Sequence, residues 1–231
     1  MREIVFDTET TGLSPLNGDR IVEIGCVEMV NRCETGRSFH SYFNPGRPMP
    51  SEAEAVHGLT DRFLSDKPAF ADVSGLLIDF IGESPMIAHN AAFDFGFINH
   101  ELGACGRPNV CMSRMVCTLT LARQKFPGAK HSLDALCTRF GVDRSQRIKH
   151  GALLDAQLLA QVYVELTGGR QIGLTLVAEL IGQAPAAELP GTAVPPAVMI
   201  RPARPHAPSE AELARHAAFL ATIKDPIWNR L

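Results

Sequence analysis

Asp7-Thr8-Glu9 is the first place in this chain where residue type and spacing could do chemistry. The preceding Ile4-Val5-Phe6 is a short apolar run of strand formers, so the acids stand at the end of a buried strand. Residues i and i+2 of a strand face the same way, which sets the two carboxylates side by side. Like charges that close repel unless a cation lies between them. Oxygen ligands suit hard cations, Mg²⁺ or Mn²⁺. The structural alternative is a polar strand end running into the turn Thr10-Thr11-Gly12-Leu13, and the pair alone does not decide between the two.

Two further segments carry acids. His89-Asn90-Ala91-Ala92-Phe93-Asp94 follows the apolar PMIA and opens a helix. Asp94 then falls in the first turn, where the helix dipole favours a carboxylate with or without a function. Asn90 has a similar ordinary role as a helix cap. In His150-Gly151-Ala152-Leu153-Leu154-Asp155, a spacing of five would turn two helical side chains apart. A histidine in the loop ahead of the helix, with the aspartate one turn in, lets both face one cleft. A lone loop histidine is usually solvated; this one matters because the acids need a base.

Together these residues describe metal-assisted phosphodiester hydrolysis. Two divalent ions roughly 4 Å apart can bind a scissile phosphate, activate a water and stabilise the leaving 3′ oxygen. Asp7, Glu9 and Asp155 would hold the ions, Asp94 would complete the second site, and His150 would take the proton from the water. No covalent nucleophile is required. Other chemistries fail on pattern: His100-Glu101 would begin a zinc-protease helix, but position 104 is Ala, and no glycine-rich nucleotide loop is present.

The elements that must position these residues follow from periodicity. A second strand is expected over 20–30 and a third over 38–43, joined by short connections as an antiparallel meander. Phe70, Val73, Leu77 and Phe80 give helical spacing over 68–81. A brief strand at 85–88 and a helix over 92–102 come next, then helical patterns over 114–126, 132–140 and 152–166. Strands first and helices interleaved later predict an α/β domain around a mixed sheet.

Composition bounds the rest. With 45% hydrophobic and 20% charged residues, the 231-residue chain is expected to hold a folded core plus an extension, or two small domains. The formal net charge of −3 excludes a broadly basic nucleic-acid coat, so any such binding must be local. The six cysteines form no C-x-x-C pair, which suggests reduced thiols. No signal peptide or membrane-length apolar run is apparent, so the expected compartment is the cytoplasm. From 182 to 208 the chain is dominated by Ala and Pro, with prolines at 185, 190, 195, 196, 202, 205 and 208. Such a stretch reads as an extended linker.

The segments DTETTG, HNAAFD and HGALLD resemble the three exonuclease motifs of the DEDDh family, in the ribonuclease H-like superfamily. VFDTETTGL, VEIGCVEMVNR, VHGLTDRFLSDKPAF, FPGAKHSLDALC and HGALLDAQLLAQVY extend the resemblance to the epsilon-type proofreading branch in bacterial DNA polymerase III, over about residues 1–170. The branch with tyrosine in place of histidine would place it at position 151, which is Gly here, so the histidine branch fits. The resemblance implies a ribonuclease H-like five-stranded mixed sheet flanked by helices, with its first three strands antiparallel. It implies a 3′→5′ exonuclease domain over 1–169, acting on a single-stranded or frayed DNA 3′ end with two divalent cations. It also implies Glu52 and His57 as contacts to the terminal nucleotide; from the residues alone they are an exposed acid and a loop histidine. An RNA-trimming exonuclease of the same superfamily, or a chiefly structural subunit bridging polymerase and clamp, are the alternatives.

Two tail features suggest partners. Gln171-Ile172-Gly173-Leu174-Thr175-Leu176 resembles the loose Q-x-x-L-x-L/F peptides that bind the sliding clamp (beta), at the start of a linker running to 208. Ser209-Glu210-Ala211-Glu212 is a capping box. Leu213, Ala217, Leu220 and Ile223 then form an apolar stripe on a helix ending before Pro226, and Trp228 follows. A short helix beyond a linker has no core of its own, so 209–231 is expected to bind a partner, by resemblance the polymerase catalytic (alpha) subunit; folding back onto the nuclease domain is the alternative. A small third core subunit is left open.

Overall fold

Ile4, Val5 and Phe6 are fully buried because they lie in the central strand of a sheet covered on both faces. The structure is a computed structural model and describes residues 1–147, 149–169 and 207–223. Strand β1 (Arg2–Thr10) pairs antiparallel with β2 (Ile21–Val30), which pairs antiparallel with β3 (Cys33–Tyr42). On the other side β1 runs parallel to β4 (Met86–Ala88), and β4 parallel to β5 (Met115–Cys117). The order β3-β2-β1-β4-β5 is the expected mixed five-stranded sheet, with the expected meander.

Four expectations need correction. β1 runs through Thr10, so Asp7 and Glu9 lie within the strand, opposite Gly25 and Glu23, and not at its end. Residues 115–117, expected as helix, are the edge strand β5, and helix α5 (Thr118–Lys125) begins only after it. Three residues are too few to show a period, and pairing with β4 decides their state. Helices α1 (Ser51–His57) and α2 (Asp61–Leu64) were not expected at all. Finally, Asn90 caps nothing with its side chain: its backbone is left-handed, with φ 64°, and it makes the sharp corner between β4 and the next helix.

Helices α3 (Phe70–Ile81) and α4 (Ala91–Ala104) cover one face, packing Phe70, Leu77, Phe95 and Ile98 with Ile4 and Phe6. On the other face α7 (Ala152–Leu166) packs Leu159 and Tyr163 against Val5, Met29 and Ile87. Outside it, α5 and α6 (Leu133–Phe140) meet α7 through Ala122, Leu136, Leu158 and Val162. Each large apolar side chain so buried contributes about 1.5–3 kcal/mol.

Gly25 sets where α7 begins. A Cβ at that position would lie 2.3 Å from the Leu153 backbone, well inside contact distance. Without it, the first turn of α7 rests directly on β2 beside Asp7, the residue that pairs with Gly25.

In the tail, α8 (Glu210–Leu220) has the expected capping box: Ser209 Oγ accepts from the Glu212 amide at 3.4 Å, and the Ser209 amide donates to Glu212 at 2.8 Å. Leu213 is exposed. The helix ends at Leu220, so Ile223 lies beyond it and the stripe is shorter than expected. Gln171, Leu174, Leu176, Trp228 and nearly all of the Pro-rich stretch lie outside the described residues. All six cysteines are unpaired. Among the described residues no helix is long and apolar enough to cross a membrane.

Candidate active site

Asp7, Glu9, Asp94, His150 and Asp155 line one cleft of about 540 Å³. Asp7 and Glu9 share a face of β1, as period two requires. Asp155 sits in the first turn of α7, and His150 in the loop just ahead of it, with Nδ1 3.3 Å from Asp155 Oδ2. Ligand atoms of Glu9, His150 and Asp155 all lie within 4.8 Å of one another. Asp94 comes from α4, on the opposite face of the sheet. Thr8 holds it, its hydroxyl donating to Asp94 Oδ1 at 2.7 Å.

The acids crowd each other. Burial holds Asp7 well above the usual carboxylate range, and Asp94, Glu9 and Asp155 push it the same way. Glu9 is raised to about 8, mainly by burial and then by Asp155. Asp94 is raised to about 7 by burial, partly offset by the Thr8 hydrogen bond. A cation would relieve all three, and an oxygen-rich set of this kind suits a hard divalent ion.

Glu52 and His57 do not line this cleft. His57 is the buried last residue of α1, not a loop residue. Its Nδ1 accepts from the Leu59 amide at 3.0 Å, which in a neutral ring leaves the proton on Nε2. That atom is buried and makes no well-formed hydrogen bond among the described residues. Glu52 is exposed at the start of the same helix.

Sequence reasoning missed three groups in the cleft. His89 Nδ1 lies 2.9 Å from the Thr118 hydroxyl, which itself donates to Ala88 O at 3.3 Å. Burial lowers the His89 pKa. Its signal in the sequence is its place at the start of the same segment as Asp94. His131 belongs to the loop that opens α6 and also lines the cleft. Arg147 donates to both oxygens of Asp155, at 2.5 and 2.7 Å. Nothing in type or spacing distinguishes it from Arg144 and Lys149 in the same loop.

Comparison with known proteins gives this geometry its family. The Exonuclease family profile matches residues 4–163. The DNA polymerase III subunit epsilon of Rickettsia felis is 46% identical over 228 residues, covering 96% of this chain and 97% of its own. The subunit of the same name from Escherichia coli is 48% identical over 177 residues, covering 73% of this chain and 72% of its own. Among solved structures, Exonuclease X in complex with 5′ overhanging duplex DNA has a TM-score of 0.56 at 28% identity, covering 71% of this chain and 90% of that one. The nuclease domain of a DEDDh family 3′ exonuclease bound to rAMP has a TM-score of 0.62 at 17% identity, covering 72% and 91%, and supports the fold alone. The chain therefore belongs to the Exonuclease family and, within it, to the DNA polymerase III epsilon subunits.

Proposed function

We propose that this chain is the 3′→5′ proofreading exonuclease of a bacterial replicative polymerase, working in the cytoplasm. One observation carries the site assignment: four acids and a histidine from three separate segments meet in a single cleft, three of the acids pushed towards protonation by burial. DEDDh-type exonucleases depend on divalent metal, and the donor set here fits one. Asp7, Glu9 and Asp155 would hold two ions, Mg²⁺ or Mn²⁺, with Asp94 completing the second position. When bound, such ions supply phosphate binding, water activation and stabilisation of the leaving oxygen. His150 accepts the proton of the water that attacks phosphorus as the bond to the 3′ oxygen breaks. His57, whose Nε2 makes no well-formed hydrogen bond among the described residues, and Glu52 at the far end of α1 are assigned to the terminal nucleotide. A mismatched end frays more easily because part of the unpairing cost is already met, so error selectivity needs no reading of base identity.

The test is cleavage of 5′-labelled DNA and RNA of one sequence by the purified full chain with Mg²⁺ or Mn²⁺. The expected result is stepwise shortening of single-stranded DNA with release of nucleoside monophosphates, faster at mismatched than at paired ends. Faster trimming of RNA would instead support the RNA-processing alternative. His150→Ala should lower the maximal rate by about 10²–10⁴ while DNA affinity changes little. An unchanged rate would remove His150 from the base role.

We assign residues 1–169 to the nuclease, 170–208 to a linker that opens on the clamp motif Gln171, Leu174 and Leu176, and 209–231 to the polymerase. The linker then works by effective concentration, holding the nuclease near the primer end while letting it move. Deleting 209–231, which removes α8 and Trp228, should abolish stable binding to the catalytic (alpha) subunit. Gln171→Ala with Leu174→Ala should weaken binding to the sliding clamp. Both variants should cleave free single strands at the normal rate. Pull-down at unchanged strength would place either contact on the nuclease domain. A small third core subunit would bind that domain too.

A further inference from the structure

Arg147 occupies the carboxylate that the proposed metal site needs. Its Nε and Nη2 pair with the two oxygens of Asp155 at 2.5 and 2.7 Å, a planar two-point match that lysine cannot make. Nη1 donates to Asp134 at 3.0 Å, and Nη2 also donates to His150 Nδ1 at 2.7 Å. The Arg147 side chain is only 9% exposed and that of Asp155 4%. One guanidinium thus joins three groups: a ligand, the assigned base, and a carboxylate at the start of α6. Its neighbour Arg144 reaches Asp134 at 2.8 Å.

With both of its oxygens held by one guanidinium, Asp155 could take a metal only beside a second positive charge. A divalent ion about 2.0–2.2 Å from an Asp155 oxygen would stand against the guanidinium in a poorly solvated cleft, where like charges repel strongly. We propose that Arg147 is a positioning residue, an internal cation that holds Asp155 and His150 in place and competes with the divalent ion for Asp155. Loading the site then requires the guanidinium to leave Asp155 while keeping its hold on Asp134. The proposal rests on the reading of Asp155 as a metal ligand.

The test is Mn²⁺ binding to the full chain by calorimetry, without nucleic acid, for wild type, Arg147→Ala, Arg147→Lys and Arg144→Ala. Competition predicts that Arg147→Ala binds Mn²⁺ at least about tenfold tighter. Arg144→Ala, which loses the same charge from the same loop, should stay within about threefold of wild type. Arg147→Lys keeps the charge without the two-point pairing and should fall between, which covers the case in which the alanine variant does not fold. In chelator, Arg147→Ala should melt below wild type, and saturating Mn²⁺ should close that gap. Wild type that takes up no Mn²⁺ would defeat the metal reading itself. Wild type that binds Mn²⁺, with Arg147→Ala binding it no tighter than Arg144→Ala, would make Arg147 a structural strut and end this proposal.

Discussion

Asp7→Asn should stop hydrolysis and at the same time raise the melting temperature of the protein in chelator. The two effects share one cause. Asp7 sits where burial and the neighbouring acids Asp94, Glu9, Asp155 and Glu23 disfavour its charge. That unfavourable position is what would make a cation bind, and binding several kcal/mol of transition-state charge is the service at stake. Loss of a ligand on that scale lowers the rate by about a thousandfold or more. Without the cation the same carboxylate is a liability, and an isosteric amide removes its repulsion with Asp94, Glu9 and Asp155. About 1–2 kcal/mol of relief would appear as a rise of a few degrees in a chain of this size. Calorimetry in EDTA and cleavage with Mg²⁺ measure the two halves separately. A variant that cleaves near normally removes Asp7 from the metal site; one that melts lower shows that its carboxylate is satisfied without a cation.

The second large effect is on stability against pH. Glu9 is raised from 4.5 to about 8 and Asp94 from 3.8 to about 7. A carboxyl that holds its proton more tightly when folded stabilises the fold below its unfolded pKa. That contribution is lost as pH rises through the folded pKa. In chelator these two groups should therefore stabilise the fold most below about pH 4, and their contribution should fall steadily to about pH 8. At about 1.4 kcal/mol per unit, the Glu9 shift alone corresponds to a loss on the order of 5 kcal/mol. The acids repel one another, so their losses do not simply add. Saturating Mn²⁺ should flatten or reverse the slope, because a metal prefers ionised ligands. Melting curves from about pH 5 to 8.5, with and without Mn²⁺, test this. A flat curve in chelator would mean that these carboxyls ionise as freely in the fold as outside it.

Much of this site was legible because its acids obey local periods. Asp7 and Glu9 share a face by the period of a strand, and Asp155 follows a loop histidine by one helical turn. The sheet was legible as an order of elements, since apolar alternation marks β2 without help from neighbours. What escaped is what only tertiary contact decides. Met115-Val116-Cys117 is a strand because β4 lies beside it. Gly25 is required by a helix from the far end of the domain. His57 is buried by its surroundings, although its sequence neighbours suggest a loop. Arg147 differs from Arg144 of the same loop in reaching Asp155 and His150, which only the folded contact shows.

The seat of α7 on Gly25 also sets an order in time. During synthesis β1 and β2 leave the ribosome early, and α7 follows only when nearly all of the nuclease domain has been made. Until that helix docks, Asp155 and His150 are missing from the cleft. A nascent or truncated chain would therefore hold Asp7, Glu9 and Asp94 without Asp155 and His150, and on the proposed assignment of the base it should not cleave.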